Sequence, residues 1–263
     1  HASWSHAEGN STTTQGRWSH TEGGSTLAIG ETSHAEGSTT TAIGSGSHAE
    51  GSGNITFGDF SHAEGFFNVS TGSYSHTEGY FTTTIGINSH AEGRETIAFG
   101  EGSHAEGYRT TASGSYSHTE GNWTVAKGDY QTIVGKFNAT SSLLNNAQFI
   151  VGNGTANNAR SNSFIVTGSQ VGINITPSSS IALHIDSTTK GFRMPVMTYA
   201  QKIAINPKYP GLEVYQTGSV TQTSFITRKL GGLIFTIPIT TTIPEGPYMV
   251  QPSGSAGLVW VAK

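Results

Sequence analysis

The chain contains no cysteine, so neither a disulfide framework nor a thiolate metal site can hold it together, and its rigidity has to come from backbone pairing and packing. Charge is scarce, with Asp, Glu, Lys and Arg making up 11% of 263 residues. No basic stripe of the kind that binds nucleic acid is present. No apolar run approaches the roughly 20 residues needed to span a bilayer, and the start of the chain lacks a basic region followed by an apolar stretch. Neither membrane insertion nor a nucleic-acid partner is expected. There is no Ser-His-Asp order, phosphate-cradling loop or isolated carboxylate pair, so no enzyme activity, catalytic residue or cofactor is expected. What is abundant is glycine, at 35 positions, against a hydrophobic fraction of 34%. Regularly placed Ile, Val and Phe turn what would otherwise be linker composition into that of an ordered β-protein.

The order is a repeat. Ser-His-Ala-Glu-Gly or Ser-His-Thr-Glu-Gly occurs nine times with a period of 14 residues and no insertion. Its histidines are His6, His20, His34, His48, His62, His76, His90, His104 and His118, and its glutamates Glu8, Glu22, Glu36, Glu50, Glu64, Glu78, Glu92, Glu106 and Glu120. A second glycine column, from Gly16 to Gly128, runs half a period out of phase. Each seven-residue half accommodates a short strand and a tight turn, with glycine expected to supply the positive φ of the turn. Such fidelity means that each repeat stacks on the last.

Two positions before the second glycine the residue is always small, as at Ala28, Ala42, Thr56 and Ala98. Its neighbours are large: Leu27 and Ile29, Ile43, Ile55 and Phe57, Ile85, Ile97 and Phe99. Side chains alternate faces along a strand, so the small column fills a flat coil and the large columns point outward. No helix is encoded nearby to cover that apolar ridge, and further copies of the same chain are the economical cover. Periodicity alone leaves the hand of the solenoid and the number of copies open.

The wording of the repeat, as in Thr26 to Gly37 (TLAIGETSHAEG), resembles the YadA-like head repeats of trimeric autotransporter adhesins, and its pentapeptide resembles their relatives in phage tail fibres. The resemblance covers about residues 3–135. It implies an all-β fold, a left-handed parallel β-roll of two-strand, 14-residue coils assembled as a homotrimer. Three segments are expected: 1–135, the β-roll of nine repeats with a degraded capping coil at Gln131 to Gly135; 136–180, a transition β segment; and 181–263, a β-rich C-terminal tip module. Phe149 to Val166 resembles the segment that follows such repeats in phage tail proteins. Thr188 to Ile205 and Pro210 to Gly218 resemble a module near the ends of phage fibres and bacterial surface proteins. Thr198 and Gln201 have capping-box spacing for one short helix ending before Pro207.

In the pentapeptide Ser and Ala alternate with His and Glu, so His and Glu share the outer face and form ladders about 4.8 Å apart. Stacked carboxylates at that spacing repel by roughly a few kcal/mol per neighbour at moderate dielectric, and the interleaved imidazoles are expected to relieve this, with their pKa values raised by the glutamates. The competing reading is metal ligation; a dedicated metal site would occupy one place rather than nine, so the ladder is read as structural and no metal is assigned. The threonine column from Thr12 to Thr124 falls inside by parity, which argues against an ice-binding face. Aromatics gather at the coil corners, where Trp18, Phe60, Tyr74 and Tyr116 either pack against a neighbouring subunit or offer a glycan-binding platform. His184 lies in an alternating strand pattern. The function expected from this reading is a trimeric virion fibre or spike whose partners are other virion structural proteins and a host surface receptor, in particular a glycan. The alternatives are a trimeric adhesin of the bacterial surface and a purely structural filament or capsid decoration.

Overall fold

The structure is a computed structural model that describes residues 3–190 and 195–205, together with the strands Glu213–Thr217, Val220–Leu230, Leu233–Ile243, Gly246–Pro252 and Leu258–Ala262. It divides into two compact units, His1–Thr188 and Thr189–Lys263.

The first unit is a parallel β-solenoid. Every period contributes a strand over the pentapeptide, such as His20–Gly24, and a two-residue strand, such as Leu27–Ala28. Coils pair in parallel and in register, His20 against His34 and Ala28 against Ala42, so each residue type forms a straight column. The pentapeptide strands lie in a 14-stranded sheet and the short strands in a 9-stranded sheet.

Why the coil is so flat follows from what fills it. Ala28, Ala35, Ala42 and Ala49 pack together with no exposed surface, and the other inward columns are Ser and Thr. From Ser19 onward the pentapeptide serines are tied to the corner before them: the Oγ groups of Ser19, Ser33, Ser47 and Ser103 donate to the carbonyls of Gly16, Gly30, Gly44 and Gly100 at 2.7 Å. A buried hydroxyl satisfied this way avoids the desolvation cost of an orphaned donor. The threonine column is indeed interior, with Thr26, Thr40, Thr82 and Thr96 buried. Asparagine replaces it at Asn54, Asn68 and Asn138, also buried. Asn68 accepts from the backbone N–H of Thr82 at 2.7 Å and donates to the Gly79 carbonyl at 2.9 Å, bridging adjacent coils. These three asparagines lie in glycosylation-like triplets, but burial makes them parts of the core.

The two glycine columns differ: the pentapeptide glycines supply the expected positive φ, as at Gly23 (101°) and Gly79 (108°), whereas the second column answers to a different constraint. In the column that includes Gly30 and Gly72, an added Cβ would lie 2.1 and 1.9 Å from the carbonyl oxygen of the next coil's glycine, so close backbone approach is what demands glycine there. The left-handed corners are taken mainly by other residues, including Trp18 (φ 53°), Phe60 (54°), Tyr74 (59°) and Tyr116 (55°). Each such residue costs about 1–2 kcal/mol. Ring stacking between coils offsets about 0.5–1.5 kcal/mol of that.

The roll ends by changing its filling. Ile133 stands where earlier coils have Ala or Thr and joins Ala126, Leu144, Ala147, Ile150 and Ile165 in a larger aliphatic core. Gln131 stands where they have Ser, and its amide reaches the Leu144 and Ala147 carbonyls at 2.7 and 3.0 Å. Thr132 then pairs with Phe149, 17 residues on rather than 14, the excess accommodating the 3-10 turn Ser142–Leu144. The sheet continues past residue 135 without a break, turning antiparallel at Asn162–Thr167 and Gln170–Ile173 and ending with Leu183–Ile185, which contains His184.

In the second unit, helix Tyr199–Ala204 starts on the anticipated capping box, Thr198 accepting from the Gln201 N–H and the Gln201 side chain from the Thr198 N–H. Its strands form a four-stranded sheet and a separate hairpin, Val220–Leu230 with Leu233–Ile243. Pro207, Gly211, Lys263 and most connections between these strands lie outside the described residues.

Candidate functional site

Three surfaces of the roll carry side chains in columns. On the outside of the 9-stranded sheet, Leu27, Ile43 and Ile55 are half-buried, while Ile29, Phe57, Ile85, Ile97 and Phe99 are exposed. They form the uncovered apolar ridge that the alternation of small and large residues implies.

At the corners, Trp18, Phe60, Tyr74 and Tyr116 do not converge on one site. They belong to three stacked pairs, Trp4–Trp18, Phe60–Tyr74 and Tyr116–Tyr130, with centroids 5.8, 5.3 and 5.4 Å apart. Thr32, Gly46, Asn88 and Gly102 take the corner between pairs, and the rings of Phe60 and Tyr116 lean across Gly46 and Gly102. Sequence reasoning missed the cations on these edges: the Arg17 guanidinium sits 4.3 Å over Trp18 and that of Arg109 4.8 Å over Trp123. Their signal was placement beside the aromatic columns.

On the outside of the 14-stranded sheet the imidazoles stack. From His20 to His104 successive rings are 4.7–4.9 Å apart and within 9° of parallel, a spacing set by the strand separation. Histidines reach back to the glutamate of the previous coil: His48 Nε2 lies 3.2 Å from Glu36, His76 3.3 Å from Glu64, His104 3.4 Å from Glu92 and His62 3.5 Å from Glu50. The contacts of His62 and His104 are off the hydrogen-bond direction, and the buried Nε2 atoms of His20, His34, His90 and His118 have no hydrogen-bond partner among the described residues.

At His34, His62 and His90 the electrostatics overturn the expectation of raised pKa values. Burial first, and the neighbouring imidazoles second, push His34, His62 and His90 below the ordinary 6.5. The glutamates relieve their own crowding by alternating. Glu22 is raised by a hydrogen bond with Glu36, Glu50 by burial and then Glu36, and Glu78 by Glu92. Glu36 is lowered by accepting from Glu22, and Glu64 is lowered because His62 and its neighbours outweigh its burial.

A pH dependence follows. The folded state holds neutral His34, His62 and His90 more firmly than the unfolded chain does, so their contribution is complete above about pH 6.5 and is lost as pH falls through their folded values. The raised glutamates act oppositely, stabilising below about 4.5 and losing that contribution as pH rises through their folded values; lowered Glu36 and Glu64 stabilise above about 4.5 and lose it as pH falls. The melting temperature of chelator-treated protein is therefore expected to rise between pH 5.5 and 7.5, and the triple change His34→Asn, His62→Asn, His90→Asn to flatten that rise. A melting temperature that falls over this interval would show imidazolium to be the stabilising form.

Two family models match the chain. One is the YadA head domain repeat, in two copies at residues 22–47 and 91–117, and the other is the phage tail like trimerisation region, at residues 170–231. These matches support a relationship to trimeric adhesins and phage fibres built from YadA-like repeats. The trimerisation match supports a homotrimer, and the two together support a trimeric fibre or surface adhesin. No curated protein matches the chain.

Proposed function

We propose that the protein is a trimeric fibre or spike of a phage virion, in which the β-roll is a rigid shaft or head and the chain attaches the particle to a glycan on the host surface. The observation that carries this reading is one chain joining a straight roll with an uncovered apolar ridge to a match with a phage tail like trimerisation region. That match favours a virion over the bacterial surface, where the same repeats would serve an adhesin. The protein acts by binding and is not an enzyme. Residues 3–135 offer a lattice suited to stiffness, whereas binding concentrates in loops on a rigid scaffold. The principal receptor contacts are accordingly assigned to Gly211 to Lys263, presented three times by the trimer, and the corner aromatics are second.

Gold-labelled antibody against the roll should decorate virion fibres; decoration of uninfected bacteria instead would favour the adhesin. For the receptor, binding of the full-length protein to host cells is expected to be blocked by an antibody fragment against residues 211–263 and to survive Trp18→Ala, Phe60→Ala, Tyr74→Ala and Tyr116→Ala together. Loss only in the fourfold variant would move the site to the corners. Absence of any cell binding would favour the structural filament.

A further inference from the structure

We propose that the histidine–glutamate ladder is an array of binding sites for a divalent transition-metal ion of the zinc type, up to five ions along its nine coils. Repetition excludes a single dedicated site, but it is what an array of similar sites would require. The ladder contains five groups that share no residue, four of the type His34–Glu36–His48 and one, Glu78–His90–Glu92, with two carboxylates, each with its ligand atoms within 4.8 Å of one another. Imidazole nitrogen with carboxylate oxygen suits zinc, nickel or copper. Calcium and magnesium prefer all-oxygen shells.

The spacing across coils fits such an ion. With bonds of about 2.0–2.1 Å, two ligands of a tetrahedral zinc lie about 3.3 Å apart. The separations of 3.2 Å between His48 and Glu36 and 3.3 Å between His76 and Glu64 match that span. Stacked rings 4.7–4.9 Å apart are wider than it, so the second imidazole of a group joins by rotating its ring toward the ion. Among the described residues the Nε2 atoms of His34 and His90 have no hydrogen-bond partner to give up, and buried polar atoms without partners are uncommon enough to require an explanation. Beside the first four coils a groove of about 580 Å³, lined by Glu8, Glu22, Glu36, Glu50 and the glycine after each, gives an ion access to the carboxylates there. This surface lies on the sheet opposite the apolar ridge, so assembly through the ridge leaves it free; that clause alone rests on the trimeric reading.

The test is a calorimetric titration of the chelator-stripped full-length protein with zinc chloride, in whatever assembly it forms, so that its result is independent of the subunit count by light scattering. Saturable uptake of up to five ions per chain is expected, with a higher melting temperature that equal calcium or magnesium does not produce. His34→Gln with His48→Gln should remove about one-fifth of the capacity while leaving the circular dichroism unchanged. Where that variant fails to fold, cobalt(II) bound to the native protein should develop the visible bands of nitrogen and oxygen ligation. Uptake below one ion per chain, capacity unchanged in the folded variant, displacement of zinc by equal calcium, or a cobalt spectrum identical to that of the aqueous ion would each overturn the proposal.

Discussion

Phe57→Asp combined with Phe99→Asp should convert the assembled protein into folded single chains. In the isolated chain these rings are 47% and 55% exposed, on a ridge shared with Ile29, Ile85 and Ile97. Covering one such side chain is worth roughly 1.5–3 kcal/mol, so two substitutions remove a large share of the association energy from every subunit. Each also places a carboxylate where it would be desolvated, a cost beyond the lost apolar area. The roll itself should persist, because neither side chain contributes to the Ala, Ser and Thr interior. Light scattering should give a trimeric mass for the native protein and a lower mass for the variant, with the same β-type circular dichroism. A native protein that is already a folded monomer would refute the ridge as an interface; a variant that stays trimeric would assign assembly to residues 170–231 alone, where the trimerisation match lies.

The second large effect is expected from Gly72→Ala. The new Cβ would sit 1.9 Å from the Gly86 oxygen and 2.5 Å from its carbonyl carbon. Both are backbone atoms of the next coil, so relief requires opening the coil spacing and the hydrogen bonds that set it. Overpacked sites lose about 1–3 kcal/mol, and a contact with backbone that cannot rotate away belongs at the upper end. Gly24→Ala is the matched control, since a Cβ there meets nothing within 4 Å, and open-surface substitutions stay within about 0.5 kcal/mol. Denaturant unfolding should separate the two variants by more than about 1 kcal/mol. Equal stabilities would mean that the coils are not in close backbone contact at this column.

What the sequence determined by itself was everything that depends on period and parity. A 14-residue repeat without insertions places identical residues in identical surroundings, and alternation along a strand then decides which columns are inside. Ala28 inside with Ile29 outside, the buried threonines and the capping box of Thr198 and Gln201 all followed from such one-dimensional rules. The end of the roll was legible as a degraded repeat, though not its continuation as the same sheet, because the pairing of Thr132 with Phe149 depends on a loop whose path no period specifies. Tertiary structure alone decided how neighbouring coils act on one another. Glycine at position 72 answers to the backbone of the next coil, while Trp18 and Phe60 hold the left-handed corners because rings stack across coils. His48 turns to the glutamate before it in space, Glu36, instead of the one two residues on. The sign of the histidine shifts was decided there too, since burial and ring-to-ring repulsion outweigh glutamate attraction only at the separations that stacking imposes.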